Sequence, residues 1–347
     1  MPAVPPAVSA PSAHAAIVQA LDRSTKHRRY SGPIVRWLMT DPDTRTTGRN
    51  IANCALRLHL EAAQGPDDSP EARLTAAKVC NARLCPYCEW RRSRVQRARL
   101  LSGAAALLEE HPRLTPLMLT LTVANVPVDG LRDTLAQLHT AWKRLTLREA
   151  FPTSLWYRRT EVTVSQPSAR FRGGAPVVDW KKTAANVDNG EVTLHPHLHC
   201  LLFVPPAFFG RNYIKATEWA ELWRQSLRVS YTPIIDVRRA YAKTVDDGAL
   251  ALPISAAMEA SKYLTKAADL PSLGPLVVDF HKAVKGVRMR SVSGDLARYV
   301  SARDVTAAEL LDQPVAVAPG GPPALRVVAD WCECLRHYVP TPSEGGG

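Results

Sequence analysis

Residues Thr193 to Val204 read TLHPHLHCLLFV, three histidines at every second position running into an unbroken apolar stretch. Side chains alternate across a strand, so His195, His197 and His199 share a face with Leu201 and Phe203, while Leu198, Cys200, Leu202 and Val204 face the other way. A lone histidine in such a setting is more often a satisfied core or surface residue. Three in register point to a site, because imidazoles two apart on one strand face can converge on one cation. The spacing suits zinc or another transition metal and does not name the ion.

Outward from this strand, Leu117, Leu119, Leu121 and Val123 alternate with Met118, Thr120 and Thr122, the period of a half-buried strand. Leu131 to Arg148 repeats Leu, Ala and Trp at three- and four-residue intervals, as an amphipathic helix does. Further strands are expected at about Arg158 to Val164 and Ile234 to Arg239, and helices at Ala216 to Leu227 and Ile254 to Lys266. This order predicts an α+β fold, an antiparallel β-sheet with helices packed on one face. The open face of such a sheet is available to a ligand.

The 347 residues suffice for a hydrophobic core without disulfide staples. No apolar run approaches the roughly 18 residues of a membrane span, and the N-terminus MPAVPPAVSAPSAHAA lacks the basic and continuous apolar regions of a signal peptide, so a cytoplasmic protein without membrane contact is expected. Lys and Arg outnumber Asp and Glu by 44 to 32, a formal charge of +12. The excess clusters in WRRSRVQRAR (Arg91, Arg92, Arg94), WYRRT (Arg158, Arg159) and DVRRAYAK (Arg238, Arg239). Such clusters suit a polyanion, although solvated helix faces on a basic protein look the same by charge alone.

Seven cysteines, an odd count with no export signal, argue against a disulfide framework. In CNARLCPYCEWRRSR, Cys80, Cys85 and Cys88 follow the pattern C-x4-C-x2-C ahead of a basic helix, which resembles a metal knuckle more than core thiols. Cys54 in NCALRLHL is the best fourth ligand for a structural zinc, with His59 behind it, while Cys332 and Cys334 look unconnected. Glu161, on the strand before the histidines, can complete a His pair and leave positions open for substrate oxygens. The alternative for Glu161 is a surface pair with Arg158 or Arg159. Glu259, Tyr263 and Lys266 follow at four- and three-residue intervals along one expected helical stripe. A phenol there can attack a phosphodiester, the lysine can offset the resulting charge, and Glu259 can serve as a base.

LMLTLTVANV, RRTEVTV, HPHLHCLLFV and EASKYLTKAADL, in that order and preceded by CNARLCPYCEWRRS, resemble the replication initiators of small rolling-circle plasmids within the HUH endonuclease superfamily. The resemblance runs from about Cys54 to about Asp269. It implies an HUH-like fold and a metal-dependent single-strand nickase and strand transferase. Mg²⁺ or Mn²⁺ would be held by His197 and His199, with Glu161 where related virus initiators carry a metal-binding acid. Tyr263 would be the nucleophile that leaves a 5′-phosphotyrosine and a free 3′-hydroxyl, and Glu259 would help hydrolysis in the terminating cleavage. His195 lies outside the HUH pair and is assigned to a supporting or DNA-contacting role, with either it or Glu161 completing the metal site.

Four segments follow from this reading: a disordered N-terminus over 1–25, a Cys- and Arg-rich zinc- and DNA-binding segment over 45–100, an HUH nuclease domain over 110–300 and a mostly flexible tail over 313–347. Plasmid origin DNA, single-stranded or cruciform at the nick, is the expected partner, along with a host helicase and polymerase and a possible homodimer. The alternatives are another HUH nuclease, a relaxase or single-tyrosine transposase, or a zinc-containing DNA-binding regulator without catalysis.

Overall fold

The computed structural model describes residues 12–64, 70–165, 171–172, 175–176, 192–240, 243–244, 250–252, 254–261, 264–312 and 325–341. The chain divides into two compact units, one of residues 1–39, 45–91 and 305–347, the other of residues 40–44 and 92–304.

In the first unit, α1 (Ala13–Arg28) begins at Ser12, whose side chain accepts the Ala15 N–H. Ile17, Ala20, Leu21 and Ser24 recur at helical spacing and are buried, so α1 lies against a sheet instead of dissolving into the disordered N-terminus expected over 1–25. Helices α2 (Ser31–Leu38) and α3 (Pro42–Ala52) follow. The sheet is four-stranded and antiparallel, built from β1 (Arg57–Gln64), β2 (Pro70–Ala77), β12 (Leu325–Cys332) and β13 (His337–Pro340) in the order β13-β12-β1-β2. The tail expected to be flexible over 313–347 therefore supplies two strands. Ala329 and Tyr338 are buried, and the Tyr338 hydroxyl donates to the Ala55 carbonyl at 2.6 Å.

In the second unit, β3 (Thr115–Thr122), β4 (Trp156–Ser165), β7 (Thr193–Val204), β8 (Ile235–Arg239) and β11 (Arg290–Val292) form an antiparallel sheet in the order β11-β4-β7-β3-β8. Two-residue ladders pair β5 (Phe171–Arg172) with β6 (Ala175–Pro176) and β9 (Lys243–Thr244) with β10 (Leu250–Ala251). The histidine strand is central, with Glu161 of β4 opposite His197 and Thr120 of β3 opposite His199. One face is the core the alternation predicts: Leu117, Leu119, Leu121, Leu198, Cys200 and Leu202 meet Trp142 of α5 (Leu131–Thr146) and Trp219 and Trp223 of α6 (Ala216–Leu227).

Helices also cover half of the second face. There Met118, Tyr157, Leu201 and Phe203 pack against α7 (Ile254–Ala260) and the C-terminal part of α4 (Pro86–Glu110), and α8 (Val277–Val284) completes the helices. The apolar end of that face is sealed, and the histidine end opens into a cleft. Helix α7 stops at Ala260, short of the expected Lys266, and the Leu264 carbonyl accepts the Val162 N–H of β4 at 2.7 Å. Lys266 consequently does not share a helical stripe with Glu259, and Tyr263 lies outside the described residues.

Candidate functional site

At the open end of the sheet, Glu161 Oε2 lies 2.8 Å from His199 Nε2 and 3.2 Å from His197 Nε2, and the two Nε2 atoms are 3.1 Å apart. All three residues are buried. The sequence brings them together by strand pairing, since opposite residues on neighbouring antiparallel strands present side chains to the same face. His197 Nδ1 donates to the His195 carbonyl at 3.0 Å. A carbonyl only accepts, so Nδ1 holds a proton, which leaves the Nε2 lone pair available to a cation when one is bound.

Two imidazole nitrogens and a carboxylate oxygen facing one another this closely repel unless a cation or protons lie among them. The donor set fits a divalent cation with open positions, and two nitrogen ligands suit Mn²⁺ better than the oxygen-seeking Mg²⁺. Burial acts to raise the Glu161 carboxyl, but hydrogen bonds and charge from His197 and His199 outweigh it and hold the group well below the usual carboxylate range.

The surrounding cleft has a volume of about 390 Å³, and Thr163, Asp236, Arg238, Arg239, Glu259 and Lys266 line it. Glu259 Oε1 lies 3.3 Å from His199 Nδ1, where Thr120 Oγ1 also approaches at 3.4 Å. His195 Nδ1 is 2.7 Å from Asn125 Oδ1, and its ring lies against that of His197 with centroids 5.2 Å apart. Burial and the charge of His197 push His195 down to about 4, so it stays a neutral neighbour of the triad. Thr120 and Asn125 were not singled out from the sequence. Thr120 was legible as a residue on the polar face of the LTLT alternation, whereas nothing local marks Asn125.

The arginines expected on DNA separate into two groups. Arg238 and Arg239 are exposed on edge strand β8; the first pairs with Asp236 at 2.8 Å, and the second lies 4.4 Å from the Phe209 ring centroid. Arg94 is exposed and Arg92 half-buried. Three others are corrections, because each is buried and used internally. Arg91 donates to the Leu310 carbonyl at 2.6 Å and pairs with Asp312 at 2.8 Å. Arg158 donates to Thr160 and Ser291, and burial lowers it to about 10. Arg159 donates to Gln96 at 2.9 Å.

In the first unit, Cys54, Cys80, Cys85 and Cys88 converge, their ligand atoms all within 4.8 Å of one another. Cys54 Sγ lies 3.4 Å from Cys88 Sγ and 3.6 Å from Cys85 Sγ, and Cys80 Sγ is 3.7 Å from Cys88 Sγ. Cys85 and Cys88 flank the start of α4, where Pro86 takes the first helical position. Hydrogen bonds from the other three thiols pull Cys80 far below the ordinary range, hydrogen bonding with Cys80 pushes Cys54 up, and burial pushes Cys85 up. Four sulfurs at this spacing can hold a cation once they lose their protons to it, and a four-sulfur set fits tetrahedral zinc. Cys332 and Cys334 lie apart from this cluster, as their sequence positions suggested, with their own sulfurs 2.7 Å apart.

Among the described residues no helix is long and apolar enough to cross a membrane. A family model described as "Replication protein" matches residues 71–339. A Bacillus protein named "Protein rep" is 30% identical over 216 residues, 58% of this chain and 62% of its own. One of the same name from Lentilactobacillus hilgardii is 28% identical over 253 residues, 70% of this chain and 72% of its own. A third, from Streptococcus pneumoniae, is 34% identical over 171 residues, 48% of this chain and 46% of its own. The chain spans between about half and two thirds of the length of several of these relatives. No solved structure matches it. The family model covers most of the chain, both the cysteine cluster from Cys80 onward and the histidine strand, and the protein belongs to the replication-protein (Rep) family.

Proposed function

We propose that this protein starts and ends rolling-circle replication of a plasmid by nicking and rejoining one DNA strand at the origin through Tyr263. The observation that carries this reading is the convergence of Glu161, His197 and His199 at the open end of an antiparallel sheet, in a cleft bordered by Arg238, Arg239 and Lys266. His197, His199 and Glu161 would hold Mn²⁺ or Mg²⁺. Such a cation, when bound, supplies positive charge that polarises a scissile phosphate.

The remaining work falls to the chain. Tyr263 Oη forms a bond to phosphorus as the bond from phosphorus to the 3′ oxygen breaks; the phenolic proton passes to solvent or a base, and the departing oxygen takes one up. The products are a 5′-phosphotyrosine and a 3′-hydroxyl that a host polymerase can extend behind a host helicase. Arg238 and Arg239 hold the DNA backbone, and Lys266 offsets the charge of the phosphotyrosine. In the terminating cleavage, Glu259 takes a proton from water. Zinc at the four cysteines fixes the start of α4 and has no part in the chemistry.

A supercoiled plasmid carrying its own origin tests this. Wild-type protein with Mn²⁺ should relax it and become covalently attached, Tyr263→Phe should do neither, and His197→Ala should lose activity. An adduct that survives Tyr263→Phe overturns the nucleophile, and normal cleavage by His197→Ala overturns the metal site.

A further inference from the structure

For His199 to offer Nε2 to a cation, its Nδ1 must keep the proton, and that choice of tautomer depends on what faces Nδ1. Among the described residues, Thr120 Oγ1 approaches it at 3.4 Å and Glu259 Oε1 at 3.3 Å. A hydroxyl can donate as readily as accept, so Thr120 leaves the tautomer undecided. An ionised carboxylate only accepts. The other ligand shows the same arrangement in a different material, since His197 Nδ1 faces the acceptor-only carbonyl of His195.

From this geometry we infer that Glu259 is a positioning residue: its carboxylate accepts the Nδ1–H of His199 and thereby aims that ring's Nε2 lone pair at the cation. The inference rests on reading Glu161, His197 and His199 as a cation site. It goes beyond the role in water activation that the resemblance implies, because it makes Glu259 necessary before any DNA is bound. The two ligands on β7 are then held differently. His197 is fixed by its own strand, and His199 by Glu259 of α7, four residues ahead of Tyr263 in the chain. The arrangement of α7 sets the readiness of the metal site.

Binding of Mn²⁺ to the full chain, with zinc saturating the thiols, separates the possibilities when free Mn²⁺ is followed by electron paramagnetic resonance. Partners that orient a ligating histidine are worth about ten- to a hundredfold in affinity. Glu259→Ala should weaken Mn²⁺ binding by about that factor. Glu259→Gln cannot take a proton from water, but its amide oxygen still accepts one hydrogen bond, so it should bind Mn²⁺ within roughly threefold of wild type. With diamagnetic Mg²⁺ occupying the site in place of Mn²⁺, nitrogen chemical shifts of His199 should show the proton on Nδ1 in wild type and Glu259→Gln, and a mixture of tautomers in Glu259→Ala. Wild-type affinity in Glu259→Ala, or a loss in Glu259→Gln as large as in Glu259→Ala, overturns the inference. If wild type binds no Mn²⁺, the cation-site reading itself fails and the positioning role falls with it.

Discussion

Arg91 and Arg239 carry the same charge in opposite surroundings. The Arg91 guanidinium is buried against Asp312 and the Leu310 carbonyl, so Arg91→Ala strands a partly buried carboxylate and should cost about 3 kcal/mol of stability, read by denaturant unfolding. Arg239 lies exposed on the rim of the cleft. Arg239→Ala should leave stability within about 0.5 kcal/mol and lower the slope of log affinity for origin DNA against log salt by about one. An unchanged slope removes Arg239 from the DNA. The sequence could not sort these arginines, because a pair such as Arg158 and Arg159 on a strand sends one side chain to each face whatever lies there. Histidine, by contrast, was legible: the two-residue period fixed the common face of His195, His197 and His199, and the neighbouring strand carries Glu161 opposite His197.

At the scale of elements, α5 is tied to β4 by His139, whose Nε2 lies 3.0 Å from Thr160 Oγ1. Burial, then the charge of Arg158, push His139 from 6.5 down to about 3. The unfolded chain therefore takes up a proton as the pH falls through 6.5, while the folded chain does not until about 3. Stability from this group is complete above 6.5 and is lost progressively below it. At pH 5 the loss should be about 2 kcal/mol relative to pH 7.5, and His139→Gln should flatten that part of the profile. Equal slopes for the two proteins would show that His139 is not buried neutral. The same logic of gathering applies to α4, whose first turn brings Cys85 and Cys88 to Cys54 and Cys80. Cys88→Ser should abolish stoichiometric zinc binding, measured by elemental analysis, and lower the thermal midpoint; retention of zinc by the variant would remove Cys88 from the ligand set. The C-x4-C-x2-C spacing revealed this cluster because ligands held by one turn must lie close in sequence. The end of α7 was not readable. E-x-x-x-Y-x-x-K satisfies helical spacing, whereas the helix ends at Ala260 and the Leu264 carbonyl accepts the Val162 N–H, a long-range pairing that no local pattern announces.

Over the whole molecule, composition pointed to a polyanion partner and a metal-binding use of cysteine, and strand and helix periodicity pointed to an antiparallel α+β fold. It erred at both ends of the chain, where proline, alanine and glycine dominate the texture. The stripe Ile17, Ala20, Leu21 and Ser24 and the strands at Leu325–Cys332 and His337–Pro340 stand beside such segments, and a compositional average hides them. The four-stranded sheet of the first unit depends on β12 pairing with β1 across more than 250 residues of chain, for instance Arg57 with Asp330, which no local pattern announces. The central claim, that a metal site on the histidine strand serves a tyrosine nucleophile, is met most directly by mass spectrometry of the covalent product. The full protein is incubated with Mn²⁺ and a single-stranded origin oligonucleotide, digested, and the nucleotide-bearing peptide is sequenced. The account predicts a 5′-phosphate joined to the Tyr263 hydroxyl, absent without the cation and in His199→Ala; a nucleotide on any other residue, or the same adduct formed without the cation, would contradict it.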